Sequence, residues 1–555
     1  MQRSMQQDYT SAWQFPRKLV RFLAMFSLCC VFVVACQGST PQGQDATTST
    51  GASDNGRIVL GTTGKIRTLD PADSYEILSG NLLYNLGDRL YTNQLGSTEL
   101  EPQLATALPE ISEDGLVYTI PLREGVVFHD GEPFNAEAMA FSLQRFSENG
   151  GPPAFLLSDT VETVEATGEF ELTITLQSPF AAFTSLLAFP GLAAVSPAAY
   201  TLGAGEFEPE AFVGTGPYQL VEYRPDSLKL DVFPDYWGEQ PLNQGLDLQI
   251  FSSSANLFSA ISTGAVDLGY QTLDPEQIRN LAAAADQGRL QMIESLGNGI
   301  HYLSVNVLSP PLDNKEVRQA IAAAMDRTLL NERVFQGQVE PLYSLLPTKL
   351  PSYEPTFETQ YGDGTNPQRA IALLQEAGYS ESNPLVLDFW YRSNINSNVL
   401  ASSTIKAIID DRLGGIISVN LNGVESATAY ENLDKGAYPI FMLDWAPDFL
   451  DPDNYLQPFV DCAEGSDATG CELGASQYQG AFYYNSRVNE LIVQQRQEQD
   501  PAARQALLSE LQEIIAEDVP FIPLWENKEF LFAQSDIQGA NIQPTQNVAF
   551  WTITR

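Results

Sequence analysis

The chain has 555 residues, 44% hydrophobic and 18% charged, which is enough apolar material for packed interiors and too long a chain for one compact core, so two or three lobes are expected. Its 29 Lys and Arg stand against 70 Asp and Glu, a formal charge of −41; such a surface repels phosphate backbones and anionic headgroups and argues against nucleic acid as a partner. The excess reads first as a solvated, aggregation-resistant surface and second as a long-range attractor of cationic ligands.

The chain opens with Arg3, Arg17, Lys18 and Arg21, followed by an apolar run from Phe22 to Ala35. At about 14 residues that run is shorter than a membrane-spanning helix and fits the core of a signal peptide. It ends Val33-Val34-Ala35-Cys36. Small residues before a cysteine resemble the bacterial lipobox, with Val where Leu is usual. Residues 1–35 are therefore expected to be a lipoprotein signal peptide and Cys36 the lipidated mature N-terminus; ordinary cleavage, with Cys36 incidental, is the competing reading. Residues 37–56 hold no large apolar side chain, so 36–56 reads as a flexible tether reaching roughly 25 Å.

From Ile58 onward the pattern is mixed α/β. Leu116, Tyr118, Ile120 and Leu122 alternate with Val117, Thr119 and Pro121, and Phe170, Leu172, Ile174 and Leu176 alternate with Glu171, Thr173 and Thr175. Period-2 stretches of this kind predict strands with one buried face. Asp313 with Glu316 reads as a helix start, after which Val317, Ala320, Ile321, Ala324 and Met325 fall on one face. Asp500-Pro501 starts a second helix with Leu507, Leu511, Ile514 and Ile515 as its stripe and Pro520 as its end. Crossings between lobes are expected at His301–Asn306 and Pro520–Phe532. Strands interleaved with helices over this length predict α/β lobes.

More specific are seven short motifs: Thr68-Leu69-Asp70-Pro71-Ala72, Glu101-Pro102-Gln103-Leu104-Ala105, residues 114–131 ending Phe128-His129-Asp130-Gly131, Gly214-Thr215-Gly216-Pro217-Tyr218, Asp313 to Arg327, Trp445-Ala446-Pro447-Asp448, and Pro520-Phe521-Ile522-Pro523-Leu524-Trp525. In this order and spacing they resemble family 5 of the extracellular solute-binding proteins, the dipeptide- and oligopeptide-binding group, over nearly all of the chain from about residue 57. The resemblance implies an α/β, two-lobed type II periplasmic-binding-protein fold with an extra subdomain in lobe I. Lobe I would comprise 57–302, with the insert at about 101–213, and the C-terminal return 531–555. Lobe II would be 303–530, with hinge crossings near Leu303 and Phe530.

The family places an Asp three residues after a Trp to pair with the ligand's α-ammonium, and the resemblance carries this role to Asp448. A charged amine entering a dry cleft needs an anion to offset its lost hydration; a capped turn in an Asp- and Pro-rich loop is the alternative use of the residue. Trp445 is a candidate pocket wall or core residue, and Tyr75, just after Leu69-Asp70-Pro71, a candidate ligand contact. Family dipeptide binders grip the ligand carboxylate with an Arg on the helix after the first strand of lobe II. Here Asn398 to Lys406 has no Arg, and Arg392 just before it is the available substitute.

Asp444, Asp448, Asp451 and Asp453 also raise a paired-carboxylate hydrolase and a calcium loop. Neighbours in one loop seldom oppose each other as a glycosidase needs, and the spacing lacks the Gly and terminal Glu of an Asp-rich calcium loop. With only His129 and His301 in the chain, a His-based metal or acid–base site has little to draw on. His129 is expected to hold a turn, and Gly214–Tyr218, lacking a Lys, to be a structural turn. Cys29, Cys30 and Cys36 fall in the first 36 residues, which leaves Cys462 and Cys471 in a polar loop without zinc-type spacing. In an oxidising compartment, with Gly465 and Gly470 easing closure, they are expected to form a disulfide.

The expected function is the substrate-binding component of an ABC importer, with no chemistry and no cofactor of its own: a peptide or small-solute receptor, monomeric, membrane-held through lipid, and docking on permease transmembrane subunits. The alternatives are the same fold taking an opine, an oligosaccharide or a metal chelate, and a secreted lipoprotein hydrolase.

Overall fold

The computed structural model describes residues 56–270 and 273–555. The signal peptide, the lipidation at Cys36 and nearly all of the tether lie outside the described residues.

The alternating stretches form strands. Val117–Pro121 buries Tyr118 and Ile120, and Glu171–Leu176 buries Leu172, Ile174 and Leu176. The two pair antiparallel with Tyr118 opposite Ile174 and Ile120 opposite Leu172, so their apolar faces coincide. Glu110–Ile111 and Val161–Gly168 complete a four-stranded sheet. Helix Ala136–Glu148, capped by the Asn135 side chain on the Ala138 N–H, contributes Met139, Leu143 and Phe146 to the same core. This is the subdomain.

Among the described residues the main sheet has 11 strands and runs through both lobes. Two long strands make the passage, Leu290–Val305 and Phe521–Gln534. They pair antiparallel from Leu290 opposite Gln534 to Ser304 opposite Phe521. On one side of this pair lie Leu268–Tyr270, Ile58–Thr62 and Leu246–Ile250; on the other lie Ile440–Trp445, Leu385–Arg392 and Ile417–Val424. The register slips between Leu296 and Ile300, where Gly297-Asn298-Gly299 stands opposite the Asn527 region. A Cβ on Gly299 would meet the Asn527 amide at 2.9 Å, so glycine there permits the close approach. The first crossing strand starts at Leu290, well before His301, because polar Gln291 and Glu294 hide its opening from the alternation test.

Separate cores flank the crossing pair. One draws on residues from Ile300 to Trp525; another joins Ile58 through Tyr270 to Leu531 through Ile553. The molecule is thus an α/β protein of two lobes with a subdomain.

Two helices refine the sequence reading. The first runs Lys315–Ala323, and its cap is the Asn314 side chain, which accepts from the Val317 N–H, rather than Asp313. Helix Pro501–Asp518 is capped by Asp500 as expected, but it buries Leu508, Leu511 and Ile515, while Leu507 and Ile514 only flank the core. It ends at Val519, which takes a left-handed φ of 54° before Pro520. Cys462 and Cys471 are joined as a disulfide across a small hairpin, Glu464–Ser466 with Gly470–Leu473. Among the described residues no helix is long and apolar enough to cross a membrane, and no group of His, Cys, Asp or Glu is arranged to hold a metal ion.

Candidate ligand cleft

Strand Ile440–Trp445 buries Ile440 through Leu443 between the first crossing strand and Leu385–Arg392. Beyond Trp445 the chain leaves the sheet through Ala446-Pro447, and a proline cannot donate to the ladder. The loop that follows is fixed from within: the Asp448 N–H donates to Asn454 Oδ1 at 3.0 Å. The Asp448 carboxylate is left pointing across to the other lobe, where the Tyr75 hydroxyl donates to it at 2.6 Å.

Tyr75 is placed by the segment before it. Asp70 is wholly buried and binds the Arg145 guanidinium through two hydrogen bonds of 2.7 and 2.6 Å. It also accepts from the Ala72 and Glu208 N–H groups at 3.0 and 2.7 Å. Arg67 bridges Asp73 and Glu76 at 2.6 Å each, and the Tyr75 ring meets Phe155 edge-on at 6.1 Å. Beside Tyr75 and Asp448 opens a cavity of about 300 Å³. Its walls come from Leu83 and Tyr84 on helix Ile77–Leu86, from Phe189, from Asn298 in the crossing strand, from the loop Ala446 to Leu450, and from Gln546. Burial raises the Asp448 carboxyl above its ordinary range, partly offset by its hydrogen bonds, and burial beside that carboxylate raises the Tyr75 phenol.

The four acids of this stretch differ in their partners. Arg392 pairs with Asp444, Arg504 with Asp451 at 2.6 Å, and Arg496 with Asp453 at 3.0 Å. Asp448 alone has no Lys or Arg at ion-pair distance among the described residues. The loop is also anchored by Phe449, which is 8% exposed and packs on Phe180 in the subdomain core at 6.1 Å, while Arg496 covers the other part of Phe180 at 4.6 Å.

Trp445 stands beside the cavity without lining it. Its indole packs edge-on against Phe459 at 5.5 Å. Arg392 is 5% exposed, with its guanidinium engaged by Asp444 and donating to the Tyr430 hydroxyl at 2.7 Å. His301 stacks on Trp525 at 4.6 Å, and burial, with Arg392 nearby, holds its pKa down at about 3. Burial lowers His129 to about 4; its ring spans Gly214 N and Gly216 O at 3.3 and 3.1 Å and so fixes the Gly214–Tyr218 turn. Both imidazoles are neutral packing groups. Asn298 and Phe449 escape the sequence reading; the signals available were a polar residue between two glycines and an aromatic one in an acidic loop.

The family model of the bacterial extracellular solute-binding proteins, family 5 middle region, matches residues 99–467. The heme-binding protein A of Haemophilus influenzae is 28% identical over 97% of this chain and 99% of its own length. The glutathione-binding protein GsiB of Escherichia coli O1:K1 is 28% identical over 89% of this chain and 93% of its own. Among solved structures, HbpA2 from Haemophilus parasuis superposes with a TM-score of 0.77 at 24% identity, covering 90% of this chain and 99% of that one.

Proposed function

The chain belongs to family 5 of the bacterial extracellular solute-binding proteins, and we propose that it captures a peptide or similar amine-bearing solute between its lobes and hands it to the permease of an ABC importer. One observation carries the ligand class: Asp448 is the single acid of its motif without a cationic partner among the described residues, and it lines a cavity of about 300 Å³ between the lobes. An ammonium is the group that such a carboxylate holds. Tyr75 donates to that carboxylate and lines the same cavity. Trp445 acts through position, ending the strand from which Asp448 projects.

The relative named for glutathione, a tripeptide with a free α-ammonium, supports this reading. The relative named for heme favours a second one, a non-peptide solute. In Asp448→Asn, calorimetry with the co-purified solute should show affinity falling by roughly two to four orders of magnitude, the effect of breaking a desolvated pair at about 3–5 kcal/mol. A change under about fivefold, typical of an exposed charge, removes Asp448 from the site.

The same proposal holds that the protein is monomeric, catalyses no reaction, divides into lobes near Leu303 and Phe530, and is held at the outer membrane face or in the periplasm by lipid on Cys36. The basic start, the short apolar run and Ala35-Cys36 support the anchor. Cys36→Ser should release the protein from the membrane fraction or leave its precursor unprocessed; unchanged fractionation and processing count against lipidation.

A further inference from the structure

One wall of the cavity is a short turn near the C-terminus. Residues 543–547 close it through the Gln543 and Gln546 N–H groups, which donate to the carbonyls of Asn547 and Gln543 at 2.8 Å each. Thr545, Gln546 and Asn547 line the cavity, and Gln546 takes a left-handed φ of 67°. Both ends of the turn are fixed in one core: Ile542 and Val548 are buried there, and the Asn85 amide donates to the Val548 carbonyl at 2.9 Å. The turn faces the register slip in the crossing strand. The Gln546 side-chain oxygen, with the amide turned to satisfy both, accepts from the Asn298 and Gly299 N–H groups at 2.5 and 3.3 Å.

Lys349 reaches this wall from the other core. Leu346 and Leu350 on either side of it are buried in that core, and the Thr348 N–H donates to the wholly buried Glu526 carboxylate at 2.8 Å. The Lys349 ammonium donates to the Pro544 carbonyl in the turn at 2.7 Å and to the Leu296 carbonyl, at the edge of the slip, at 3.0 Å. Among the described residues it makes no ion pair, and the Pro544 carbonyl has no other donor. Burial lowers the Lys349 pKa to about 8, with Glu526 and Glu529 opposing. The ammonium thus gives up hydration to hold two neutral carbonyls, and swinging out would return it.

We propose that Lys349 is a clasp that positions the cavity wall. Closed, its ammonium pins residues 543–547 to the crossing strand, so that Asn298 and Thr545 to Asn547 keep one surface toward the solute. Open, it frees that wall and gives the cavity an opening beside the passage between the lobes. The inference goes beyond the amine reading and does not depend on it, since it holds for any solute of this cavity.

Hydrogen–deuterium exchange on the full chain, without added solute, tests it in the parent, Lys349→Met and Lys349→Arg. The Met variant keeps the length of the side chain and removes its donors, leaving the Pro544 carbonyl unpartnered. The amides of Asn298, Gly299, Gln543 and Gln546 should exchange at least about tenfold faster in Lys349→Met, while those of strands Val117–Pro121 and Glu171–Leu176 keep their rates. Lys349→Arg retains cationic donors and should stay within about threefold of the parent. Equal rates at the four amides in Lys349→Met and the parent overturn the clasp. Faster exchange in the distant strands as well, or unfolding of Lys349→Met by circular dichroism, makes Lys349 a determinant of the whole fold and overturns a local clasp. A loss of protection in Lys349→Arg as large as in Lys349→Met shows that shape rather than charged donors acts here, and overturns it too.

Discussion

The Tyr75 hydroxyl donates to one oxygen of the Asp448 carboxylate at 2.6 Å, the group that the proposed ammonium would share or claim. A hydrogen bond to a charged group is worth about 1.5–3 kcal/mol, so where the phenol competes with the ammonium Tyr75→Phe should bind the amine ligand at least about tenfold tighter by calorimetry. A loss of affinity instead would make Tyr75 a ligand contact rather than a stand-in. The carboxyl of Asp448 is raised by burial, so affinity should already decline at a pH above the usual carboxylate range as the acid takes up a proton. The Trp445-to-Asp448 spacing singled out the acid, and Leu69-Asp70-Pro71 marked a motif. What Asp70 does was not legible, since its partner Arg145 lies 75 positions away and only folding brings them together. The pairing of Arg392 with Asp444 was hidden in the same way, because it depends on two neighbouring strands.

At the scale of elements, the hairpin Glu464–Ser466 with Gly470–Leu473 has almost no apolar content of its own and depends on the Cys462–Cys471 link. Closing a loop of about 10 residues contributes near 2–3 kcal/mol. The double variant Cys462→Ser, Cys471→Ser should lose that much in chemical denaturation while solute affinity is unchanged, since neither cysteine lines the cavity. Equal stability of the variant and the parent would show the link to be dispensable. Strands Val117–Pro121 and Glu171–Leu176 were readable because one face is wet, which writes the period-2 pattern. The crossing strands were harder, because Phe521 to Trp525 is buried on both faces and reads as a continuous apolar run. Gly297-Asn298-Gly299 carries no periodic signal at all, and its place in the cleft follows only from strand pairing.

At the scale of the whole molecule, the passage between lobes carries titratable groups. Glu529 on the second crossing strand faces Ser295 on the first, and burial pushes its carboxyl up to about 7, with Lys349 opposing. Between the ordinary value of 4.5 and about 7, the folded state keeps a proton that the unfolded chain has released. Stability from this group therefore falls as pH rises through that window, and the full penalty stands above it. Glu529→Gln should match the parent near pH 4 and exceed it near pH 8 by up to about 3 kcal/mol. Denaturation midpoints measured at both pH values check this, and a variant that is equal or weaker at pH 8 refutes it. The sheet order also governs how the chain assembles over time. Phe521–Gln534 inserts between Leu290–Val305 and Leu268–Tyr270, and Asn243 waits for the carbonyls of Phe550 and Ile553. A chain emerging N-terminus first thus makes a half-sheet with an open seam, and the seam closes only when nearly the last residues arrive. Such non-local pairing is slow and leaves strand edges bare until the C-terminal strand arrives.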